Sequence, residues 1–323
     1  MKKFGLLFTL LTLCLSAGDL RLAATLTADG LVTDILVDGG ALYAATYSGK
    51  IDIFDIVSGE KRDVIGIPNI KDFMGDEIPA KIYSIDKLDG KVMLVSEGKS
   101  GYRNVYLFEN GKLEKVIDSG DSLPIKKGLL VDEDHMLLGL LSSEIILYRI
   151  STKKVLYRRA IKDEESGGSA FGDMVLSEDR KTVATADESG EVNLFRVADF
   201  SHLKLLRGQN VDNIYKIDYR KGIVITAGQD RRCAVYEPDG NAYYMEGSFL
   251  IYAAALTPFA KRGVFAATVE NDIELFDVAS RTKLAMLKGH TATLTDFAFV
   301  DETHFFSSAE EKRILYWDIQ SIK

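Results

Sequence analysis

One pattern in the sequence limits its fold more than any other: a run of apolar residues that ends in an aromatic side chain recurs about every forty residues. It appears in segments such as "IDIFDI", "VNLFRV" and "ILYWDI". The seven aromatic anchors are Phe54, Phe108, Tyr148, Phe195, Tyr236, Phe276 and Trp317. Successive anchors are separated by 54, 40, 47, 41, 40 and 41 residues. Such a period indicates an array in which every repeat is one supersecondary unit.

Each repeat is built from short strands rather than helices. A strand of small residues precedes each anchor, as in "LYAAT" and "VFAAT", and a polar turn such as "VDGG" or "FAKRG" precedes that strand. Period-two runs between Gly/Asp turns predict antiparallel hairpins. Six repeats add a fourth strand, for example "KRDVI" and "TKLAMLKG", which the seventh repeat lacks. The sequence therefore predicts an all-β fold of seven antiparallel sheets.

The N-terminal segment supplies the strand that the seventh repeat lacks. The stretch "RLAATLTADGLVTDILVD" aligns with "TKLAMLKGHTATLTDFAFVD" when one gap is allowed. We expect it to pair with "RILYWDI" and to complete the last sheet from the other end of the chain. A ring closed in this way leaves fewer unpaired strand edges. The predicted architecture is a seven-bladed β-propeller of four-stranded blades, with the last blade closed by the N-terminal strand.

Residues 1–18 have the pattern of a secretory signal peptide: two lysines, an apolar run and then small residues. The run is too short for a stable membrane anchor. Cleavage is expected before Asp19, with cleavage after Ala17 as an alternative, and Cys14 leaves lipidation open despite the bulky residue before it. We expect residues 19–323 to form the propeller and the mature protein to reside in the periplasm, without a stable membrane span.

The charge of the mature chain excludes several classes of partner. Removal of residues 1–18 takes away two lysines and no acid, which leaves 38 basic and 48 acidic groups. An acidic surface disfavours binding to nucleic acid and to anionic lipid. Cys233 would then be the single cysteine, so no internal disulfide is expected, and its segment "RRCAVYEP" predicts a small buried hydrophobe.

Motifs that could carry chemistry are few. The segments "DEDH" (132–135) and "DETH" (301–304) combine carboxylates with a histidine, but both fall in a recurrent turn where Asp serves turn geometry. The glycine-rich stretch "KDEESGGSAFGD" (162–173) has neither the lysine of a phosphate-binding loop nor a following helix. No Ser–His–Asp or Cys–His set can be assembled. We therefore predict no catalytic residue, no metal site and no cofactor.

The seventh repeat resembles a WD40 repeat, because "GH" is followed by "YWD". WD40 blades often link a His, a Ser or Thr, an Asp and a Trp by hydrogen bonds. With Glu in place of Asp, the resemblance implies this structural role for His290, Ser307, Glu311 and Trp317. The fifth repeat keeps Thr226 and Asp230 before Tyr236 but has no histidine.

An exported, acidic, WD40-like propeller without catalytic motifs is similar to the NapL-type accessory proteins of periplasmic nitrate reductases. The resemblance implies a monomeric, non-catalytic scaffold for nitrate assimilation or respiration, whose partner is a periplasmic protein such as a nitrate reductase component. One alternative is an envelope protein-assembly scaffold resembling BamB, although those propellers usually have eight blades and a recurrent Trp. The other is a hydrolase of the lactonase or phytase type, with Asp34, Asp173 and Asp296 around a cation in the channel.

Insertions in the repeats indicate which face binds the partner. They lie in two kinds of connection that a propeller brings to one face, at residues 66–81, 97–103, 118–124 and 162–170. Insertions gathered on one face of a repeat array point to a binding surface. Alignment of the innermost strands places Tyr83, Lys127, Tyr215 and Tyr252 at one level of the channel mouth and Lys216 at the next level. The predicted partner-binding residues are Tyr83, Lys127, Tyr215, Lys216, Tyr252, Phe73 and Tyr102. Alternatively, the tyrosines cap the core between blades, with their hydroxyls in water.

Overall fold

The computed structural model describes residues 21–162 and 169–322, and these form seven four-stranded antiparallel sheets arranged as a ring. The predicted signal peptide, residues 1–18, and the lipidation candidate Cys14 lie outside the described residues. Within each sheet, or blade, we letter the strands a to d from the channel to the rim. The all-β, seven-bladed prediction is confirmed.

Strands β1 to β30 are assigned to blades in chain order, except for the first. Strand β1 (Leu22–Thr27) lies at the rim of blade 7. Blade 1 contains β2 (Val32–Asp38), β3 (Ala41–Thr46), β4 (Lys50–Asp55) and β5 (Lys61–Gly66). A short hairpin follows, made of β6 (Ile70–Lys71) and β7 (Glu77–Ile78). Blade 2 contains β8 (Ile82–Leu88), β9 (Lys91–Glu97), β10 (Arg103–Glu109) and β11 (Lys112–Ile117). Blade 3 contains β12 (Ile125–Leu130), β13 (His135–Leu140), β14 (Glu144–Arg149) and β15 (Lys154–Ala160).

The remaining blades repeat this order. Blade 4 contains β16 (Phe171–Leu176), β17 (Thr182–Asp187), β18 (Val192–Arg196) and β19 (His202–Leu206). Blade 5 contains β20 (Ile214–Arg220), β21 (Ile223–Gly228), β22 (Arg232–Tyr236) and β23 (Ala242–Glu246). Blade 6 contains β24 (Ala254–Leu256), β25 (Arg262–Ala266), β26 (Ile273–Asp277) and β27 (Thr282–Leu287). Blade 7 contains β28 (Leu294–Phe299), β29 (His304–Ala309), β30 (Arg313–Asp318) and β1. Two short 3-10 turns, Lys99–Gly101 and Ser119–Asp121, flank β10 and β11.

The N-terminal strand closes the ring as predicted. Strand β1 pairs antiparallel with β30, with Leu22 opposite Trp317 and Thr27 opposite Arg313. The innermost strands follow one another around the channel, and β2 of blade 1 lies beside β28 of blade 7. Because β1 covers the edge of β30, blade 7 has the same four strands as the other blades.

Burial along the strands explains why these sequences form stacked blades. Strand β3 buries all six of its residues, "ALYAAT", because it is covered by a neighbouring blade on each face. The rim strand β15 is largely exposed. The hydrophobic clusters join neighbouring blades: Leu26 of β1 packs in one cluster with Phe54 of blade 1 and Phe306 of blade 7. Cys233 is fully buried.

The innermost strands present N–H groups that no fifth strand can pair. Buried backbone donors need acceptors, and aspartates from the preceding blade supply them. The backbone N–H groups of Ile85, Leu130, Ile217 and Leu256 donate to Asp34, Asp86, Asp173 and Asp218, over 2.9, 2.7, 3.1 and 3.0 Å. These bonds tie blade 1 to 2, 2 to 3, 4 to 5 and 5 to 6 at the wall of the channel.

The register of blade 3 differs from the sequence alignment by one residue. In six of the seven innermost strands a bulge follows the first buried residue, and in blade 3 that residue is Ile125. Lys126 therefore occupies the bulge position that the alignment gave to Lys127, and Lys127 lies at the next level, with Asp34 and Lys216. Fully buried Ile125 anchors the strand, so burial rather than charge fixes the register.

The connections lie at the two ends of the ring. The b–c turns and d–a connections, residues 47–49 and 67–81 in blade 1, form what we name the insertion face. The a–b and c–d turns, residues 39–40 and 56–60 in blade 1, form the turn face. Among the residues that the structure describes, no helix has the length and apolar character needed to cross a bilayer.

Candidate functional site

A cluster of five charged side chains lies in the central channel. Lys216 Nζ is 2.7 Å from Asp296 Oδ2 and 3.6 Å from Asp34 Oδ1. Lys127 Nζ is 3.3 Å from Asp173 Oδ1. The three aspartates considered as ligands of a channel cation thus converge on lysines of the same chain. Within residues 21–162 and 169–322, no group of three His, Cys, Asp or Glu side chains is placed to hold a metal ion.

The carboxyl groups of this cluster, which we name the ion cluster, have unequal pKa values. Burial raises the pKa of Asp296 to about 7, against the attraction of Lys216 and with the help of the neighbouring Asp34 carboxylate. Burial also pushes the pKa of Asp34 upward, but attraction to Lys216 and Lys127 outweighs it, so that this pKa is lowered. Burial lowers the pKa of Lys216, but the attraction of Asp296, Asp34 and Asp173 outweighs it, so that this pKa is raised. Asp296 therefore gains or loses its proton close to neutral pH, beside an Asp34 carboxylate that is ionised there.

A cavity of about 480 Å³ extends from the ion cluster to the turn face. Its walls combine apolar side chains, such as Leu36, Leu129 and Leu256, with charged ones, such as Asp86 and Asp218. At the rim, Phe259 is 62% exposed and Lys221 lies beside it, with Nζ 5.7 Å from the ring centroid. A volume of this size is within the range of small-molecule sites. Sequence reasoning placed the functional mouth at the insertion face, but this cavity opens at the opposite end.

The predicted partner-binding tyrosines form two groups rather than one. The rings of Tyr215 and Tyr252 stack with centroids 4.9 Å apart, and the Tyr215 hydroxyl donates to Gln229 Oε1 over 2.7 Å. Tyr83 lies in a separate group, with the Arg103 guanidinium 4.2 Å from its ring centroid. All three tyrosines are half-buried, so each presents part of its ring to solvent.

The group around Tyr83 combines aromatic rings with cations. Lys81 Nζ lies 3.6 Å from the ring centroid of Tyr47 and 4.9 Å from that of Tyr83. The backbone carbonyl of half-buried Tyr102 accepts from Arg103 Nη1 over 3.4 Å. Cations over aromatic faces are attracted by the ring quadrupole. These contacts give the insertion face a fixed patch of rings and cationic heads.

Insertions on this face contact each other and are not independent loops. The 3-10 turn Ser119–Asp121 begins with a backbone N–H that donates to Asn104 Oδ1 over 2.8 Å. Gly98, in the other insertion of blade 2, lies so close to Ser119 that a Cβ on it would be 2.5 Å from the Ser119 Cβ. Only glycine fits this approach, which explains the residue at position 98.

Exposed apolar side chains concentrate on the insertion face. Among the described residues, sixteen large hydrophobic side chains are exposed, and eight of them lie in connections of this face. The eight are Leu31, Tyr47, Phe73, Met74, Leu141, Val211, Phe249 and Val269. Of the sixteen exposed side chains within residues 21–162 and 169–322, two, Val57 and Phe259, lie in turns of the turn face, and the other six lie on rim strands. Phe73 is 96% exposed at the tip of the β6–β7 hairpin. Grouped apolar exposure is typical of interaction surfaces.

The residues of the WD40-like tetrad lie within hydrogen-bonding distance in blade 7. Trp317 Nε1 donates to Ser307 Oγ over 2.7 Å, and Ser307 Oγ is 2.6 Å from His290 Nε2. His290 Nδ1 lies 2.8 Å from Glu311 Oε1. Burial pushes the pKa of Glu311 upward, but hydrogen bonds from His290 and Arg313 lower it to about 2. The carboxylate thus accepts from Nδ1, which leaves Nε2 to accept from Ser307.

Blade 5 contains an equivalent network that sequence reasoning missed. Asn210 takes the histidine position: its Oδ1 accepts from Thr226 Oγ1 over 2.6 Å, and its Nδ2 donates to Asp230 Oδ1 over 3.1 Å. An amide can accept and donate at once, as a neutral imidazole does. His290 follows "LKG" directly and Asn210 follows "LRG" after one extra residue, so this similar placement, with a one-residue offset, is the signal that could have revealed the network.

Comparisons with known proteins support the architecture. The crystal structure of the Cps50 (Swd1) β-propeller domain from Myceliophteria thermophila has a TM-score of 0.72 with this chain at 12% identity, covering 93% of this chain and 99% of that domain. The fold is a WD40-like seven-bladed β-propeller. No protein-family model matches the chain. A CCR4-associated factor 4 homolog from Candida glabrata is 32% identical over 74 residues, which are 22% of this chain and 13% of that relative.

Proposed function

We propose that this propeller is a non-catalytic scaffold that binds another protein through its insertion face. The observation that carries the proposal is the concentration there of half of the exposed large hydrophobic side chains of the described residues. The stacked Tyr215–Tyr252 pair and the ring–cation group around Tyr83 add contact area with little conformational freedom to lose. Rigid aromatic anchors of this kind favour protein partners.

The location and partner follow from the sequence resemblance. The leader pattern of residues 1–18 supports export to the periplasm. Similarity to NapL-type proteins supports a role beside a periplasmic nitrate reductase, with a component of that system as the partner. The propeller then acts as a rigid disc that positions the partner, and its activity requires no cofactor.

Two alternatives fit less well. BamB-like assembly scaffolds usually have eight blades, whereas this ring has seven. A hydrolase of the lactonase or phytase type needs a divalent cation among the channel carboxylates. Lys216 and Lys127 provide the positive charges at that place and pair directly with the three aspartates. The non-catalytic scaffold is therefore the function that the geometry supports best.

A binding experiment with matched variants tests the proposal. Phe73 on the insertion face and Val57 on the turn face are both 96% exposed, so neither substitution disturbs the core. The immobilised protein is exposed to periplasmic extract that contains the nitrate reductase system. Phe73→Asp should weaken retention of the partner by more than about tenfold, whereas Val57→Asp should leave it unchanged. Equal retention by both variants would exclude the hairpin of the insertion face as the binding surface.

The nitrate reductase role and the export have separate tests. Mass spectrometry of the retained partner should identify a nitrate reductase component; another partner retained with the same Phe73 dependence would preserve the scaffold and remove this role. The mature N-terminus from a periplasmic fraction should be Asp19. An intact Met1 in the cytoplasmic fraction would contradict export.

A further inference from the structure

Two cations at the insertion face are held against tyrosine rings where blade 2 begins. Lys81 Nζ lies 3.6 Å from the ring centroid of Tyr47 and 4.9 Å from that of Tyr83. The Arg103 guanidinium lies 4.2 Å from the Tyr83 centroid. Its Nη1 donates to two backbone carbonyls just before it in the chain, whereas its Nη2 has no acceptor within the described residues. Tyr47, Lys81, Tyr83 and Arg103 make up the ring–cation group.

Neither cation of this group has a carboxylate partner. Within residues 21–162 and 169–322, no Asp or Glu oxygen lies within 4 Å of Lys81 Nζ or of the Arg103 guanidinium nitrogens. The acid at this place is Glu97, opposite Arg103 in the pairing of β9 with β10, and its carboxylate accepts from the backbone N–H of Lys81 over 3.4 Å. Several other cations of the insertion face have direct partners. These pairs are Lys50–Asp29 (2.8 Å), Lys162–Glu191 (2.9 Å) and Arg313–Glu311 (2.8 Å).

The tyrosine hydroxyls of the group are further donors. Neither the Tyr47 nor the Tyr83 hydroxyl makes a hydrogen bond to another described residue. Burial raises the pKa of Tyr83 against the attraction of Arg103, so this hydroxyl keeps its proton and can donate. Tyr47 is 39% exposed and the other three side chains are half-buried, so a ligand from solvent can reach the group.

We propose that the ring–cation group binds an aspartate or glutamate side chain in an acidic segment of the partner protein. The inference rests on the proposed function, because it gives a chemistry to the partner of the insertion face. Carboxylates are the acceptors that match a guanidinium and an ammonium placed side by side. With Glu97, one incoming carboxylate balances the charges of Lys81 and Arg103. The ring contacts already fix both cations, so little side-chain entropy is lost on binding.

The surroundings of the group favour a protein segment over a free anion. The β6–β7 hairpin, which comes just before Lys81 in the chain, carries Phe73 and Met74 with 96% and 72% of their surface exposed. Interfaces between proteins combine apolar and aromatic contact with arginine at a few positions. A segment with apolar residues beside an acid can use both kinds of contact, whereas a free anion can use only the charges.

Calorimetric titration with N-acetylated, C-amidated pentapeptides tests the chemistry of the partner. The peptides ELELE, QLQLQ and KLKLK share their leucines and differ in charge. ELELE should bind at least about tenfold more tightly than QLQLQ, and the difference should shrink when NaCl is raised from about 50 to about 500 mM. The chain is acidic overall, so nonspecific attraction would favour KLKLK. Equal affinity for ELELE and QLQLQ, or a preference for KLKLK, would overturn the proposal.

Matched variants locate the site. Arg103→Gln and Lys81→Gln each remove one cation and should weaken ELELE binding by more than about tenfold. Lys50→Gln is the control, because it removes a cation of the same face that already has Asp29 as its partner, and it should change the affinity by less than about twofold. If Arg103→Gln fails to fold, Lys81→Gln decides alone. Unchanged affinity in the folded variants would refute the assignment.

The carboxylate site and the scaffold function can fail separately. If Phe73→Asp loses the partner from periplasmic extract while Arg103→Gln binds ELELE normally, the scaffold stands and the carboxylate site is refuted. If Arg103→Gln loses ELELE while Phe73→Asp retains the partner, the carboxylate site is supported and the hairpin is excluded as the surface that holds the partner.

Discussion

Replacing Leu26 by alanine tests whether the N-terminal strand holds the ring closed. Leu26 is 6% exposed in β1 and packs against Phe54 of blade 1, and Phe306 and Ile314 of blade 7. Truncation to alanine removes three buried carbons, worth about 2 kcal/mol of transfer free energy. The cavity left between two blades raises the loss of unfolding free energy to about 3 kcal/mol. For a domain of this size, the melting temperature should fall by about 5 °C.

The assay uses the single tryptophan of the chain. Trp317 is fully buried and lies opposite Leu22 in the closing pair of strands, so its fluorescence reports the opening of blade 7. Denaturant titrations should give the loss of about 3 kcal/mol for Leu26→Ala. Leu203→Ala is the matched control on another rim strand, where the leucine is 46% exposed, and should cost less than about 1 kcal/mol. If both variants unfold at the same denaturant concentration as the unmodified protein, the closing strand does not carry the stability of the ring.

Three further changes have defined outcomes. The contribution of Asp296 to folding stability should fall as pH rises from about 4 to about 7, because its pKa is raised to about 7 in the folded protein and the unfolded chain loses that proton at lower pH. Asp296→Asn should therefore reduce the fall of the melting temperature with pH over this range. The same dependence of melting temperature on pH in the variant would contradict this assignment. Ser307→Ala removes the acceptor of the buried Trp317 Nε1 and should lower the free energy of unfolding by about 1–3 kcal/mol, measured by denaturant titration. An unchanged free energy of unfolding would mean that the tetrad of blade 7 does not stabilise the fold. The guanidinium of Arg262 donates to the backbone carbonyls of Ile319 and Ile322 over 3.2 and 2.8 Å, and Arg262→Lys loses this paired geometry. The variant should therefore be cleaved faster by proteases near residues 319–322. Equal cleavage rates in the variant and the unmodified protein would show that other contacts hold this segment.

The architecture could be predicted because each repeat carries its pattern locally. A turn, a strand of small residues and an aromatic anchor follow one another in every unit, and stacked blades require that order. The closing strand was found by the same logic, because "RLAATL" matches a fourth strand without three strands before it. Its pairing with β30 confirms the prediction. Here local sequence and global fold agree, which makes the prediction accurate.

The positions of the charged side chains in the channel could not be predicted as well, because they depend on the register of the innermost strands, which the residue types alone do not fix. Two adjacent lysines in "IKKGLL" can be aligned in two ways, and the alignment by level selected the wrong one. The burial of Ile125 decides the register and turns Lys127 toward Asp173. The ion pairs of Lys216 join blade 5 to blades 1 and 7, and no local pattern specifies contacts across a ring.

The ion cluster divides the channel and so gives the two faces separate chemistry. It lies one level below the bulge residues of the insertion face, such as Tyr215, and forms the inner end of the cavity on the turn face. Tyrosines, exposed apolar tips and paired insertions lie on one side, which suits a broad protein contact. A cavity lined by both apolar and charged side chains lies on the other. The aspartates Asp34 and Asp173 at this level also accept from N–H groups of the next blade, so the ion cluster that separates the two faces also joins neighbouring blades.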